Sequence, residues 1–118
     1  MNERLTPPER IRRKSDFANL YREGGRLRER YFTLVFSRNG LDHSRLGVVA
    51  SRKVGSAVVR NRVKRRFREL FRRNKGLLGE SLDLVVIARP ESGAAPWPEL
   101  RDAYVSSLAA LERKRMSS

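Results

Sequence analysis

The 118-residue chain has no cysteine, one histidine and one tryptophan. Without thiols it can build neither a disulfide framework nor a thiolate metal site, a composition that suits a reducing compartment. Acids are also scarce, 13 against 27 Lys and Arg, for a formal net charge of +14. They stand singly, most beside an Arg or Lys, so the converging carboxylates of a metal-dependent nuclease are missing. His43 lies beside Asp42 in a turn-like stretch, a pair that reads as surface and not as a general base. There is no Gly-rich phosphate loop. Apolar runs fall far short of the ~20 residues that span a bilayer. The first residues, MNERLTPPERIRRK, are charged and carry prolines where a secretory signal needs an unbroken apolar segment. These absences predict a cytoplasmic binding protein with no catalytic group, no metal site and no membrane partner. No linker or repeat divides residues 1–118, so one domain is expected.

What the chain does have is concentrated charge. From Arg52 to Lys75 eleven basic residues face one acid, Glu69, giving +10 of the net +14. Val59, Val63, Phe67, Leu70 and Phe71 recur on one helical face, so the stretch reads as an amphipathic helix with Ser56 as its N-cap. Asn74 or Gly76 is expected to end it in a left-handed conformation. Arg60, Lys64, Arg68 and Arg72 follow one edge, while Arg62, Arg65, Arg66 and Arg73 take the other edge and the outer surface. Like charges four apart repel by a few tenths of a kcal/mol each. A sequence that tolerates this beside a good apolar stripe points to a polyanionic partner. A lipid surface fits poorly, because the stripe is needed for folding.

The rest reads as an α+β domain, helix, strands, helix, strand, helix, on a mixed sheet of about four strands. Residues 1–14 are expected to be flexible, with Arg10, Arg12, Arg13 and Lys14 as a second basic cluster. Ser15 is placed to cap a helix carrying Phe17, Leu20 and Tyr21 on one face, ended by Gly24 and Gly25. Tyr31 to Ser37 alternates as a strand, with Tyr31, Thr33 and Val35 on one face and Phe32, Leu34 and Phe36 on the other. Arg45 to Ser51 is a second strand, Leu82 to Ala88 an inner one, and Arg26 to Arg28 a weakly signalled edge. After a loop over Glu91 to Pro98, the last helix buries Leu100, Ala103, Tyr104, Leu108 and Leu111, with Trp97 as a packing anchor. Fraying is expected from Arg113.

Arg60-Asn61-Arg62, with Ser51-Arg52-Lys53 and Gly55 upstream and Lys64-Arg65 downstream, resembles the signature of the protein subunit of bacterial ribonuclease P. The flanks agree: Asp16-Phe17, Arg45-Leu46-Gly47 and Asp83-Leu84-Val85-Val86-Ile87-Ala88-Arg89 occur in the family's order. The resemblance implies a left-handed crossover around the basic helix. It also implies a protein that assists a catalytic RNA in removing the 5′ leader of precursor tRNA, with Mg²⁺ held mainly by the RNA. Its partners would be the ribonuclease P RNA and precursor tRNA, with no small-molecule substrate.

On that resemblance Arg52, Lys53, Arg60, Asn61, Arg62, Lys64, Arg65 and Arg68 become the contacts to the catalytic RNA. Asn61 is open between reading a base or sugar and holding a neighbouring group. Phe17, Tyr21, Tyr31, Thr33, Val35, Val49 and Ser51 become the leader groove, where aromatic stacking supplies about 1 to 3 kcal/mol per base without regard to sequence. Val35 departs from the family pattern, in which some members carry a tyrosine, so no ring stacks there. Two other readings share the charge. One is an RNA chaperone or ribosome-associated protein, the other a DNA regulator with its helix in a major groove. The second is disfavoured, because a β-rich stretch precedes the helix instead of a turn and a helix.

Overall fold

The computed structural model describes residues 5–116. In chain order come α1 (Lys14–Glu23), β1 (Gly25–Arg28), β2 (Phe32–Arg38), β3 (Arg45–Val49), α2 (Ala57–Arg73), β4 (Leu82–Ala88) and α3 (Trp97–Met116). Short 3-10 turns occupy Pro7–Glu9, Arg52–Val54, Lys75–Leu77 and Pro90–Ala94. The strands form one mixed sheet in the order β1-β2-β4-β3, in which β3 and β4 are parallel and the other pairs antiparallel. The α+β class and the inner place of Leu82–Ala88 are as expected. A nearly continuous apolar strand has to be covered on both faces.

Period-two alternation divides the core between the faces. Phe32, Leu34 and Phe36 join Leu46, Leu82, Leu84, Val86 and Ala88 in the larger core, with Val63, Phe67, Leu70 and Phe71 of α2 and Leu100, Tyr104, Leu108 and Leu111 of α3. Trp97 packs on the edge of this core as an anchor, as expected. The opposite face holds a small second cluster of Ile11, Leu20, Val35 and Val85, with Phe17, Val49 and Ile87 packed against it. The sheet therefore has a thick side for stability and a thin side crossed, among the described residues, by α1 and the N-terminal segment.

Several boundaries differ from expectation. Residues 5–13 are docked, not flexible: Leu5 and Ile11 are buried, Ile11 N–H donates to Leu46 O at 3.1 Å, and Arg10 pairs with Leu46 as a parallel bridge. The apolar side chains on either side of Pro7-Pro8 provide the driving force, and the expectation for residues 1–4 lies outside the described residues. Ser15 is not a cap. The helix starts two residues earlier, at Lys14 after Arg13, which makes no capping side-chain bond. The left-handed end expected for the basic helix at Asn74 or Gly76 is not found, and the end of α1 at Gly24 is extended. Gly24 has φ −74°, because the chain passes straight into β1. Asn74 has φ −120° and donates its side-chain amide to Leu70 O at 2.8 Å. The last helix continues to Met116, three residues past Arg113; Ser117 and Ser118 lie outside the described residues. β3 stops at Val49, leaving Ser51 to open the 3-10 turn that carries Arg52 and Lys53.

Candidate nucleic-acid interface

Helix α2 forms where the stripe predicts. Ser56 caps it by accepting from Val59 N–H at 3.4 Å, and Gly55 precedes it at φ +150°, a conformation reserved for glycine. A Cβ at Gly55 would also sit 2.9 Å from Val59. Burying Val63, Phe67, Leu70 and Phe71 is worth about 1.5 to 3 kcal/mol each, which outweighs repulsions of a few tenths per like-charged pair. The helix therefore holds its arginines in place without needing acids to neutralise them.

Acids scarcely neutralise them. Glu69 pairs with Arg73 at 2.7 Å and lies 3.7 Å from Arg72. Among the described residues Arg52, Lys53, Arg60, Lys64, Arg65 and Arg68 make no ion pair and no side-chain hydrogen bond. Arg52 and Lys53 are exposed on a turn pinned by buried Val54, and Arg65 and Asn61 face outward. Asn61 makes no side-chain hydrogen bond, so it does not hold a neighbour and its amide is presented to solvent. Val58, one turn before Arg62, is 76% exposed, an apolar spot on the same outer surface.

Arg62 departs from the expectation of a purely RNA-facing residue. It donates to Gly93 O at 2.8 Å, and Arg66 donates to Ala95 O at 2.9 Å, so this edge of α2 fastens the turn after β4. The opposite edge, with Arg60, Lys64 and Arg68, is the one left without protein acceptors.

The thin face of the sheet is ordered in rows by strand register. Ser37, Asp83 and Arg45 form one row, Val35, Val85 and Gly47 the next, and Thr33, Ile87 and Val49 the third. Helix α1 crosses at the middle row. Phe17 lies against Gly47, where a Cβ would come within 2.8 Å of its ring, while Tyr21 lies beside β1, with the Arg26 guanidinium 5.8 Å from its ring centroid. Burial raises the Tyr21 phenol above its ordinary pKa, against the opposing charge of Arg26.

One side of α1 is polar. Asp83, buried, accepts from Arg45 Nε at 2.8 Å and from Asn39 at 3.0 Å, and Asp16 of α1 stands 3.5 Å from the same arginine. This ion triad pins α1 to the sheet beside a cavity of about 430 Å³ that Asn19, Arg22 and Arg38 also line. On the other side the Thr33, Ile87 and Val49 row is only half covered, and the rings of Phe17 (half-buried) and Tyr21 (exposed) flank it. Arg28 is in register with Thr33 and extends that row to the sheet edge.

Two expected groove residues are elsewhere. Val35 is 0% exposed beneath α1. Tyr31 precedes the first residue of β2 and is buried with the larger core, its hydroxyl donating to Glu99 of α3 at 2.7 Å. That bond, with burial adding to it, raises the phenol's pKa. Alternation carried one residue past the strand's true start assigns Tyr31 to the wrong face. Phe17, Tyr21, Thr33 and Val49 do come together, and Ser51 is exposed where β3's extension ends. Ile87, Arg26 and Arg28 were missed. The signal for them is strand register, which no single segment displays. Among the described residues no three His, Asp or Glu side chains converge to hold a metal ion. No described helix is long and apolar enough to cross a membrane.

The basic helix packs on one face of the sheet, and the half-open apolar row lies on the other. The ribonuclease P family model matches residues 5–112. The ribonuclease P protein component of Thermotoga maritima is 49% identical over 89 residues, 75% of this chain and 76% of the relative. The solved structure of the T. maritima RNase P protein superposes with a TM-score of 0.77 at 40% identity, covering 85% of this chain and 94% of that one. A Staphylococcus aureus RNase P protein mutant, described as defective in mRNA degradation activity, gives a TM-score of 0.83 at 31% identity over 89% of each chain. The chain belongs to the ribonuclease P protein family, whose named members are the protein components of this tRNA-processing nuclease.

Proposed function

We propose that this chain is the protein partner of a ribonuclease P RNA and helps it remove the 5′ leader from precursor tRNA in the cytoplasm. The observation that carries the reading is the acid-free cationic surface of Arg52, Lys53, Arg60, Lys64, Arg65 and Arg68, together with the half-open row of Thr33, Ile87 and Val49 on the other face of the sheet. The guanidinium groups take phosphates of the catalytic RNA, each Arg able to bind one bidentately. Asn61 reads a base or sugar, and Arg62 divides its donors between the Gly93 carbonyl and the RNA. Phe17 and Tyr21 stack on leader bases over the apolar row, with Arg26 and Arg28 toward the leader's phosphates.

On this reading the protein lowers the repulsion between substrate and catalytic RNA, and the RNA performs the cleavage. Mg²⁺ supplies the activation of water and the stabilisation of the leaving oxygen. The carboxylates of this chain are engaged with Arg, Lys or a hydroxyl or are scattered, so the ion's ligands come mainly from the RNA. The experiment is reconstitution with a bacterial ribonuclease P RNA at limiting Mg²⁺. Cleavage of precursor tRNA should accelerate, and more for a substrate with a leader of several nucleotides than for one with a single nucleotide. An RNA chaperone would bind with the same salt dependence and leave cleavage unchanged, and that result would end the proposal.

A further inference from the structure

The exposed side chains of Arg52 and Lys53 do not hold their own turn, so its position is set by what its backbone packs against. Val54, buried in the larger core, anchors it. The turn closes on two main-chain bonds, Val54 N–H to Ser51 O at 3.0 Å and Gly55 N–H to Arg52 O at 3.2 Å. Against Val54 lies Gly93, in the Pro90–Ala94 turn. A Cβ at Gly93 would come within 2.8 Å of the Val54 carbonyl oxygen and 3.2 Å of the Val59 side chain, so the two turns meet at a distance only glycine permits.

Two arginines of α2 fix that second turn. Arg62 donates to Gly93 O at 2.8 Å and Arg66 to Ala95 O at 2.9 Å, and Ala95 is itself buried in the core. Placed one helical turn apart, both reach the same segment from one side of the helix. A bond from a cation is roughly twice as strong as a neutral one, and two of them leave the Pro90–Ala94 turn little freedom. Arg66 takes no part in the RNA contacts proposed above. We infer that Arg66 is a positioning residue for RNA association: through Ala95 and Gly93 it holds the turn that presents Arg52 and Lys53, so that neither cation has to be ordered when phosphate arrives. The RNA part rests on the proposed function; the link from Arg66 to the turn does not.

The test uses the full chain. In the wild-type protein the Val54, Gly55 and Ala95 amides should exchange through one opening with a common free energy; separate openings would overturn the link without any variant. Arg66→Met keeps the stem and removes the donors, and should quicken exchange at Val54 and Gly55 several-fold more than at Phe67 and Leu70 inside α2. Gly93→Ala, which leaves Arg66 in place, should do the same by pressing on the Val54 carbonyl. A second arm measures association with ribonuclease P RNA. Each substitution should weaken it and lower the slope of log K against log salt by up to about 1.4 to 1.8, the share of two phosphates. In a chain already carrying Arg52→Gln and Lys53→Gln, neither should lower affinity or slope further. An Arg66 that only stabilises the fold would cost affinity equally in both backgrounds, and one that takes a phosphate itself would lower the slope by about 0.7 to 0.9 in both; either result overturns the inference. If the two turns open as one but the wild-type chain ignores that RNA, the link stands and the proposed function falls. If the RNA binds and the two backgrounds respond alike, the inference falls and the function stands.

Discussion

Two arginines of one signature do different work. Arg65 faces outward without a partner, so Arg65→Ala should leave thermal stability within about 0.5 kcal/mol and weaken RNA association, read by melting and by filter binding. Arg62 holds the Gly93 carbonyl at 2.8 Å. Arg62→Ala should therefore cost about 1 to 3 kcal/mol in the melt, the range for a hydrogen bond from a charged group, as well as RNA affinity. Tyr31 is a similar case in reverse. Tyr31→Phe should destabilise by about 1 kcal/mol through loss of the Glu99 bond, with leader-dependent binding unchanged. A loss of leader affinity without destabilisation would return Tyr31 to the groove.

Among the elements, α1 and the N-terminal segment depend on the narrowest fits. Gly47→Ala would push a methyl to within 2.8 Å of the Phe17 ring, so α1 has to lift or the ring has to swing. Affinity for leader-bearing substrate should fall several-fold more than affinity for the catalytic RNA alone, as titration with each would show. The segment of residues 5–13 has two titratable ties. His43 bonds Asp42 and the Pro8 carbonyl and so gains a proton more easily than usual, with Arg45 opposing. Its pKa is raised, so its contribution is complete below 6.5 and is lost as pH climbs through the folded value. Burial pushes Glu9 upward, but bonds from Lys75 and Thr6 prevail and lower it. Its contribution is complete above 4.5 and is lost as pH falls. Hydrogen exchange at the Ile11 amide, corrected for intrinsic rate, should therefore be slowest between those two values, and His43→Gln should remove the alkaline arm.

For the molecule as a whole, the thick side of the sheet holds the larger core, and the thin side is only partly covered. With +10 of the net charge in one stretch, RNA association should be strongly salt-dependent, log K falling by about 0.7 to 0.9 for each phosphate neutralised. Six uncompensated basic side chains put the slope near 4 to 5, and a slope near 1 would mean the surface is not used as described.

Much of this was legible before the fold was known. The basic helix, its cap at Ser56 and its apolar stripe are local patterns, because a helix places side chains by a period that the chain itself displays. The same holds for the alternation that separates Phe32, Leu34 and Phe36 from Thr33 and Val35. Alternation says which residues share a face; it does not say which face is covered. Val35 and Thr33 read alike, yet one lies under α1 and the other beside it. Tyr31 reads as a strand residue until the start of β2 is known.

From sequence alone come the concentrated charge, the amphipathic helix that carries it and the α+β class, since charge, period and cap are properties of neighbouring residues. Tertiary structure alone decided that Asp16, Arg45 and Asp83 form one triad, that Ile87 and Arg28 complete the row beside Phe17, and that Ile11 bonds to Leu46 of β3. Those pairings close loops of tens of residues, and register between strands depends on how the packed faces fit together, which no single segment contains.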